Sequence, residues 1–543
     1  MANMKASALL LVAAAIASGQ SKQPDLCVPP PSGSAPALPA KILTGQGIVH
    51  FAITTSNPKA QEFFDQGVAQ LHSFWAVEAE RSFLQAAELD PEAPMPYWGV
   101  AMVAAGDYRP RFQLDTYDKM FGKSNPLKAA ARAIDAAHKA DELAKVPGKA
   151  TPLEKLYIAS IVARRDTKSK DPEEAYIQGL RAIAAQYPDE IEARTYLALH
   201  LMRGFEQPDK TPRGTSMEAV AILRELLVKA PNHPGVHHYV IHGFEGSTFA
   251  KDAWPSCQRY AELVTNIPHA LHMPGHIYAQ TGRWEDAVNS FSAAAVNERG
   301  YMQADRLYGT GHHGHNVHFL ATSYSFEGQY DKAKDAAREL LGFSENPRER
   351  ASIDGFFSAY RQGWFAMLRS LVQSESWDEI LNGKSLPVYD KPREQAWRHW
   401  AFALAELGKG NAALAKAEAK HMDESLVEYK AKVKMPVPEA LAAAKEELDG
   451  QLKLADGKLD AGFKKLEQAA SMERRMTYTE PPQYPRPVLE VIGQAALKKG
   501  RLPEAESAFR RALEQYPGSY RAQAGLRAVV DPGHKVSTAV GDF

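Results

Sequence analysis

Cysteine is nearly absent from this chain. Two, Cys27 and Cys257, occur in 543 residues, so at most one disulfide is available and no CxxC motif exists. Charge of one sign is missing as well: 64 Lys and Arg face 65 Asp and Glu, for a net charge of −1, with no block of like charge. That removes the electrostatic footprint of a nucleic-acid binder, and any acidic tail or basic arm. No nucleic-acid partner is expected. Beyond the N-terminus no apolar run is long enough to span a bilayer. There is no phosphate-cradling Gly loop, nucleophile elbow or HExxH, and so no nucleotide cofactor motif. "HHYVIH" has two His at i and i+4 but lacks the Glu that a zincin places between them.

What is present begins with "MANMKASALLLVAAAIASGQ". One Lys, an apolar stretch too short to cross a membrane, and small residues after it form a secretory signal peptide pattern over 1–20. The chain is therefore expected to be exported, periplasmic or secreted, with no membrane span after signal cleavage. A Cys27–Cys257 bridge would be permitted there and not required. Residues 21–51, rich in Pro, Ala and Ser, read as a linker. Residues 52–530 form the folded body, with a His-rich centre at 233–330, and 531–543 a C-terminal tail.

From residue 52 the chain is rich in Ala, Leu and Glu with helical periodicity and little strand signal. "GRWEDAVNSFSAAA" (282–295), "GQYDKAKDAARELL" (328–341) and "GRLPEAESAFRRAL" (500–513) share one pattern. Each has a turn, an aromatic or apolar residue, an Ala, and apolar or small residues three and four places on. The pattern resembles the tetratricopeptide repeat, a 34-residue helix–turn–helix unit. Its best copy is 487–517, where Gly493 and Ala505 let two helices approach, Phe509 and Ala512 fill the seam, and Pro517 ends the unit. The expected fold is an all-α, tetratricopeptide-like α-solenoid with a concave groove.

Ten of the 18 His lie in three stretches, 237–246, 268–288 and 311–333. The repeat resemblance implies that positions 2, 5, 9 and 12 of each unit's first helix face the groove. His238 and His242 fall at 5 and 9, with Glu245 at 12. His269, His272 and His276 fall at 2, 5 and 9 of the next unit, and His315 and His318 at 2 and 5 of the one after. Neutral imidazoles converging from neighbouring helices are good ligands for copper, zinc or iron. A hydrogen-bonding surface for a peptide or small ligand, or a structural network, uses the same residues. Pro274 sits comfortably only in a helix's first turn, so His272 is expected ahead of the helix.

Secondary candidates surround this set. His312 and His313 lie in the Gly-rich stretch "YGTGHHGH", read as a lid or a loop. His72 and His200 lie near the inner ends of other first helices. "MTYTEPPQYPRPVLEVIG" (476–493) is stiffened by its prolines. It either delivers Tyr478, Glu480, Tyr484 and Arg486 across the groove or simply connects two units.

The stretches "HHYVIH" (237–242), "PHALHMPGHIY" (268–278), "HNVHF" (315–319) and "YTEPPQYPRPVLEVIG" (478–493) are similar to those of a group of exported bacterial tetratricopeptide proteins, mostly of unassigned function. That group more often has Ser where this chain has Gly275. The resemblance implies the fold and a His-lined groove, and supplies no reaction. The leading expectation is a transition metal held by some of the seven groove His, with Glu245 or Glu480 as proton acceptor for chemistry on a small substrate. The alternative is a scaffold that holds a peptide or protein partner in the groove.

Overall fold

The computed structural model describes residues 39–115, 131–304, 311–342, 358–476 and 478–531. Among them, antiparallel helices follow one another from Pro58 to Val530, and strand is confined to Phe205–Glu206 against Thr211–Pro212. The all-α solenoid expected from the sequence is the observed architecture. Typical pairs are Pro58–His72 with Ala76–Leu89, Pro268–Gln280 with Trp284–Ala304, and Val488–Lys498 with Leu502–Gln515.

Local chemistry explains the helix ends. Many helices start on a Pro in the first turn, where a missing N–H costs nothing. Thr151 and Glu154 form a reciprocal capping box ahead of the Pro152–Arg165 helix. In the last pair Ala505, Phe509 and Ala512 are fully buried, as the repeat pattern predicted. A Cβ on Gly493 would lie 2.6 Å from the Phe509 ring, so only glycine allows this helix approach. Burying such a Phe stabilises the fold by roughly 1.5–3 kcal/mol.

The solenoid folds back on itself at both ends. The Pro58–His72 helix packs on the Pro234–Phe244 helix. At the other end Trp284 Nε1 donates to the Pro517 carbonyl at 2.8 Å. Arg369 donates to the carbonyls of Tyr484 and Pro485 at 2.9 and 3.1 Å. The chain's first and last segments therefore pack against its central units.

The stretch read as linker is docked from Lys41 onward. Leu43 N–H donates to Gln66 Oε1 at 2.7 Å, Asn266 N–H donates to the Gly45 carbonyl at 2.9 Å, and Phe51 is buried. The signal-peptide reading, Cys27 and residues 532–543 of the tail lie outside the described residues; Cys257 is buried. Among the described residues no helix is long and apolar enough to cross a membrane.

Candidate metal centre

Two helices carry the core of the site. The first, Pro234–Phe244, is capped by the His233 side chain, which accepts from Val236 N–H. It places His238 and His242 one turn apart on one face and ends at Phe244, so Glu245 is its C-cap rather than its last turn. The second, Pro268–Gln280, runs unbroken through Pro274. His272, expected ahead of the helix, is inside it, and His269, His272 and His276 share its inner side. Gly275 lets this helix approach its partner: a Cβ there would meet the Phe291 ring at 2.5 Å.

His238, His242 and His269 form a first triad. One ring nitrogen from each lies within 4.8 Å of the others, and all three side chains are buried. His238 Nδ1–H donates to the His72 carbonyl at 2.5 Å, which leaves its Nε2 as a bare lone pair. His269 Nδ1 meets His312 Nε2 at 3.2 Å, and His312 Nδ1 is bonded to Glu298. That contact engages His269 Nδ1 and leaves its Nε2 turned to the triad. Among the described residues His238 Nε2, His269 Nε2 and His242 Nε2 have no hydrogen-bond partner, and His242 Nδ1 lies 3.8 Å from Glu245 Oε2, beyond hydrogen-bond reach. Each such buried polar atom costs about 1–3 kcal/mol. Burial first, then repulsion among neighbouring imidazoles, lowers the pKa of His238 and His269 well below the ordinary value. Burial lowers that of His242 too. Three buried, neutral imidazoles with ring nitrogens turned to one another are a donor set that fits a transition-metal ion.

Phe74 closes this triad from the first helix pair. Its ring centre lies 4.5, 5.3 and 5.5 Å from those of His238, His242 and His269. Its backbone is left-handed, φ 52°, a costly conformation for an aromatic residue.

His272, His276 and His315 form a second triad within the same 4.8 Å limit. His272 Nδ1–H donates to Asn316 Oδ1 at 2.7 Å. Asn316 is oriented by its own Nδ2, which donates to Phe291 O at 3.0 Å and Glu298 Oε2 at 3.2 Å. His276 Nδ1 lies 2.8 Å from both Glu245 Oε1 and Glu480 Oε2, and its Nε2 lies 2.6 Å from His272 Nε2. Burial works against a charge on His276, but the Glu480 and Glu245 carboxylates outweigh it and raise its pKa to about 10. His276 Nε2–H therefore donates to the neutral His272. Burial and the adjacent Glu245 push Glu480 up, while Glu245 is held well down by His276. Tyr478 OH donates to Glu245 Oε1 at 3.1 Å.

Glu298, which sequence reasoning missed, ties the two triads together. Fully buried, it bonds His312, which orients His269; it accepts from Asn316, which orients His272; and it meets His313 Nδ1 at 3.0 Å. Despite its burial, the adjacent His312 and His313 hold it down at about 2. Only its place on the inner side of an otherwise ordinary second helix could have marked it.

The remaining candidates are placed as follows. His312 and His313 lie in the Gly311–Phe326 helix, not in a loop, because the preceding helix continues to Ala304 and the next begins at Gly311. His318 bonds Gln362 Oε1 at 2.5 Å and joins neither triad. His72 is held between Glu192 at 2.6 Å and Tyr239 at 3.0 Å, a satisfied structural position. His200 pairs with Glu173 at 2.7 Å, in another unit. The Pro-rich segment does deliver Tyr478 and Glu480 to the His face. It does not deliver Tyr484 and Arg486, which both bind the buried Glu447.

The tetratricopeptide repeat family model matches residues 491–519, inside the best copy read from the sequence. No curated protein matches the chain in sequence. Among solved structures the chain is similar to the human IFIT1 dimer with m7Gppp-AAAA, at 12% identity over 88% of this chain and 92% of that one, TM-score 0.31. It is similar to APC/C hetero-tetramer Cut9–Hcn1 at 12% identity over 88% and 90%, TM-score 0.28. The P58(IPK) TPR domain gives 12% identity over 87% and 97%, TM-score 0.23. Superpositions this loose add nothing to the helix pairs seen directly. The chain is an all-α solenoid of paired helices across its described residues, with a tetratricopeptide repeat matched at residues 491–519.

Proposed function

We propose that this solenoid is an exported metal-binding protein and that the His238, His242 and His269 triad holds a transition-metal ion. The observation that carries the reading is the set of unpartnered imidazole nitrogens, buried and mutually facing. A structural network would satisfy those atoms, as His72 and His200 are satisfied; a metal ligand set needs them bare. The bound ion would supply Lewis-acid or redox chemistry. The chain's own part is to fix His238 and His269 through their second nitrogens, to exclude water with Phe74, and to hold a proton on the Glu245, Glu480 and His276 group. These two carboxylates are the proton acceptors of the proposed site.

Metal analysis of the purified full chain, before and after chelation, tests this. We expect a stoichiometric ion that His238→Ala removes while the circular dichroism spectrum is retained. A folded wild-type chain that binds no copper, zinc or iron after reconstitution refutes it.

A scaffold reading is favoured by a different observation. The His face is closed, but an open cleft of about 740 Å³ lies on the solenoid between Trp254, Tyr278, Arg283 and Asp286. Arg283 stacks over Trp254 and Tyr278 there, a surface suited to a peptide. Pull-down of a partner that Trp254→Ala abolishes, with metal content unchanged, would support it.

A further inference from the structure

Two triads of the same composition lie next to each other, and the proposed function uses one. We propose that the site is a dinuclear centre: a second ion, bound by His272, His276 and His315, sits beside the first, and the pair is copper. This rests on the one-ion reading above and extends it.

The two triads share one plan. Each takes two His one turn apart from a single helix and a third from the following unit: His238, His242 and His269, then His272, His276 and His315. His269 and His272 are neighbours on the Pro268–Gln280 helix but belong to different triads. Their rings are 6.1 Å apart and close to parallel, at 28°. One helix turn therefore separates the two donor sets, too little to insulate them from each other.

Two of the three members of the second triad are held by outer contacts. His272 is fixed through Nδ1 on Asn316, and His276 through Nδ1 on Glu245 and Glu480, so both turn Nε2 inward. Those two Nε2 atoms face each other at 2.6 Å. His315, the third member, is the least buried of the three.

Glu298 supports the pairing independently. One carboxylate orients His269 through His312 and His272 through Asn316, one ligand from each triad. Two unrelated sites would not need a common anchor. The donor set decides the metal class. All six ligands are imidazoles, with no thiolate and no carboxylate among the triads themselves, and for nitrogen sites the affinity order of divalent ions peaks at copper.

The test is titration of the chelated, full-length protein with Cu(II), and separately with Zn(II), followed by gel filtration and metal analysis. Electron paramagnetic resonance is read on the copper form. We expect two tightly held copper ions per chain and a spin signal broadened, or reduced well below two spins, by coupling. His315→Ala should hold one ion and give the sharp signal of an isolated Cu(II); His238→Ala should likewise keep one. Two zinc ions with weak copper binding would keep the dinuclear plan and overturn the metal. One ion, lost in His238→Ala and untouched by His315→Ala, overturns the pair and leaves the one-ion reading standing. No ion at all overturns both. Two ions with uncoupled spectra overturn the pairing. If His315→Ala does not fold, by circular dichroism, the wild-type ion count and spin coupling alone decide.

Discussion

Glu298 and Phe74 show how much a single residue decides here. Glu298 holds three groups in place, and losing its charge would free His312 and Asn316 to turn. Outer contacts of this kind are worth about 10–100-fold in metal affinity. We expect Glu298→Gln to weaken copper binding by about that factor, read by competition against a chelator of known affinity. Phe74 combines a buried ring with a left-handed backbone. Truncation of a buried Phe costs about 3–5 kcal/mol, but Gly also releases the strain, of order 1–3 kcal/mol. We therefore expect Phe74→Gly to unfold at no lower urea concentration than Phe74→Ala, although Gly is smaller and ordinarily the worse substitution. At this scale the imidazoles were legible, because their spacing repeats with the unit. Glu298 and Phe74 were not. Their roles come from contacts between segments that the spacing does not connect.

The helices themselves follow from the sequence where the unit is regular: Gly493, Ala505, Phe509 and Ala512 pack as the repeat pattern requires. Where an element departs from the unit, the pattern misleads. Pro274 reads as a helix start, yet the helix tolerates it because packing around Phe291, His272 and His276 holds the backbone in place. A junction between elements also carries a pH dependence. Glu473, at the end of the Leu459–Arg475 helix, accepts from Val488 N–H at 2.8 Å and from Tyr516 at 2.9 Å. Burial pushes its carboxyl up to about 8. Its folded pKa thus lies above the unfolded one, so the fold binds the proton more tightly. The stability this lends is fully present below the unfolded pKa and falls as pH rises to about 8. We expect Glu473→Gln to flatten this part of the profile relative to wild type, measured by urea unfolding at a series of pH values.

Closure of the solenoid is the property of the whole molecule that the repeat could not announce. A repeat pattern specifies contacts between neighbours, whereas Trp284 with Pro517 and His72 with His238 join distant units. Only the Pro-rich segment hinted at it, by its stiffness, and it reaches the His face with Tyr478 and Glu480. The clasp at the C-terminal side is tight. Gly282 has φ 83°, and a Cβ on it would meet the Pro517 carbonyl oxygen at 2.6 Å. We expect Gly282→Ala to loosen the last unit, seen as faster amide hydrogen exchange over 502–515 and 520–530, with exchange over 152–186 unchanged.

The same closure bears on when the protein can become functional during its synthesis. Every one of the six imidazoles is already in place by residue 315, yet Glu480, which grips His276, is added 165 residues later. An unfinished chain would carry a half-dressed centre whose second ligand set lacks one of its acids. Only a completed polypeptide brings all the parts to one place, so the last units act as a seal that admits no working intermediate.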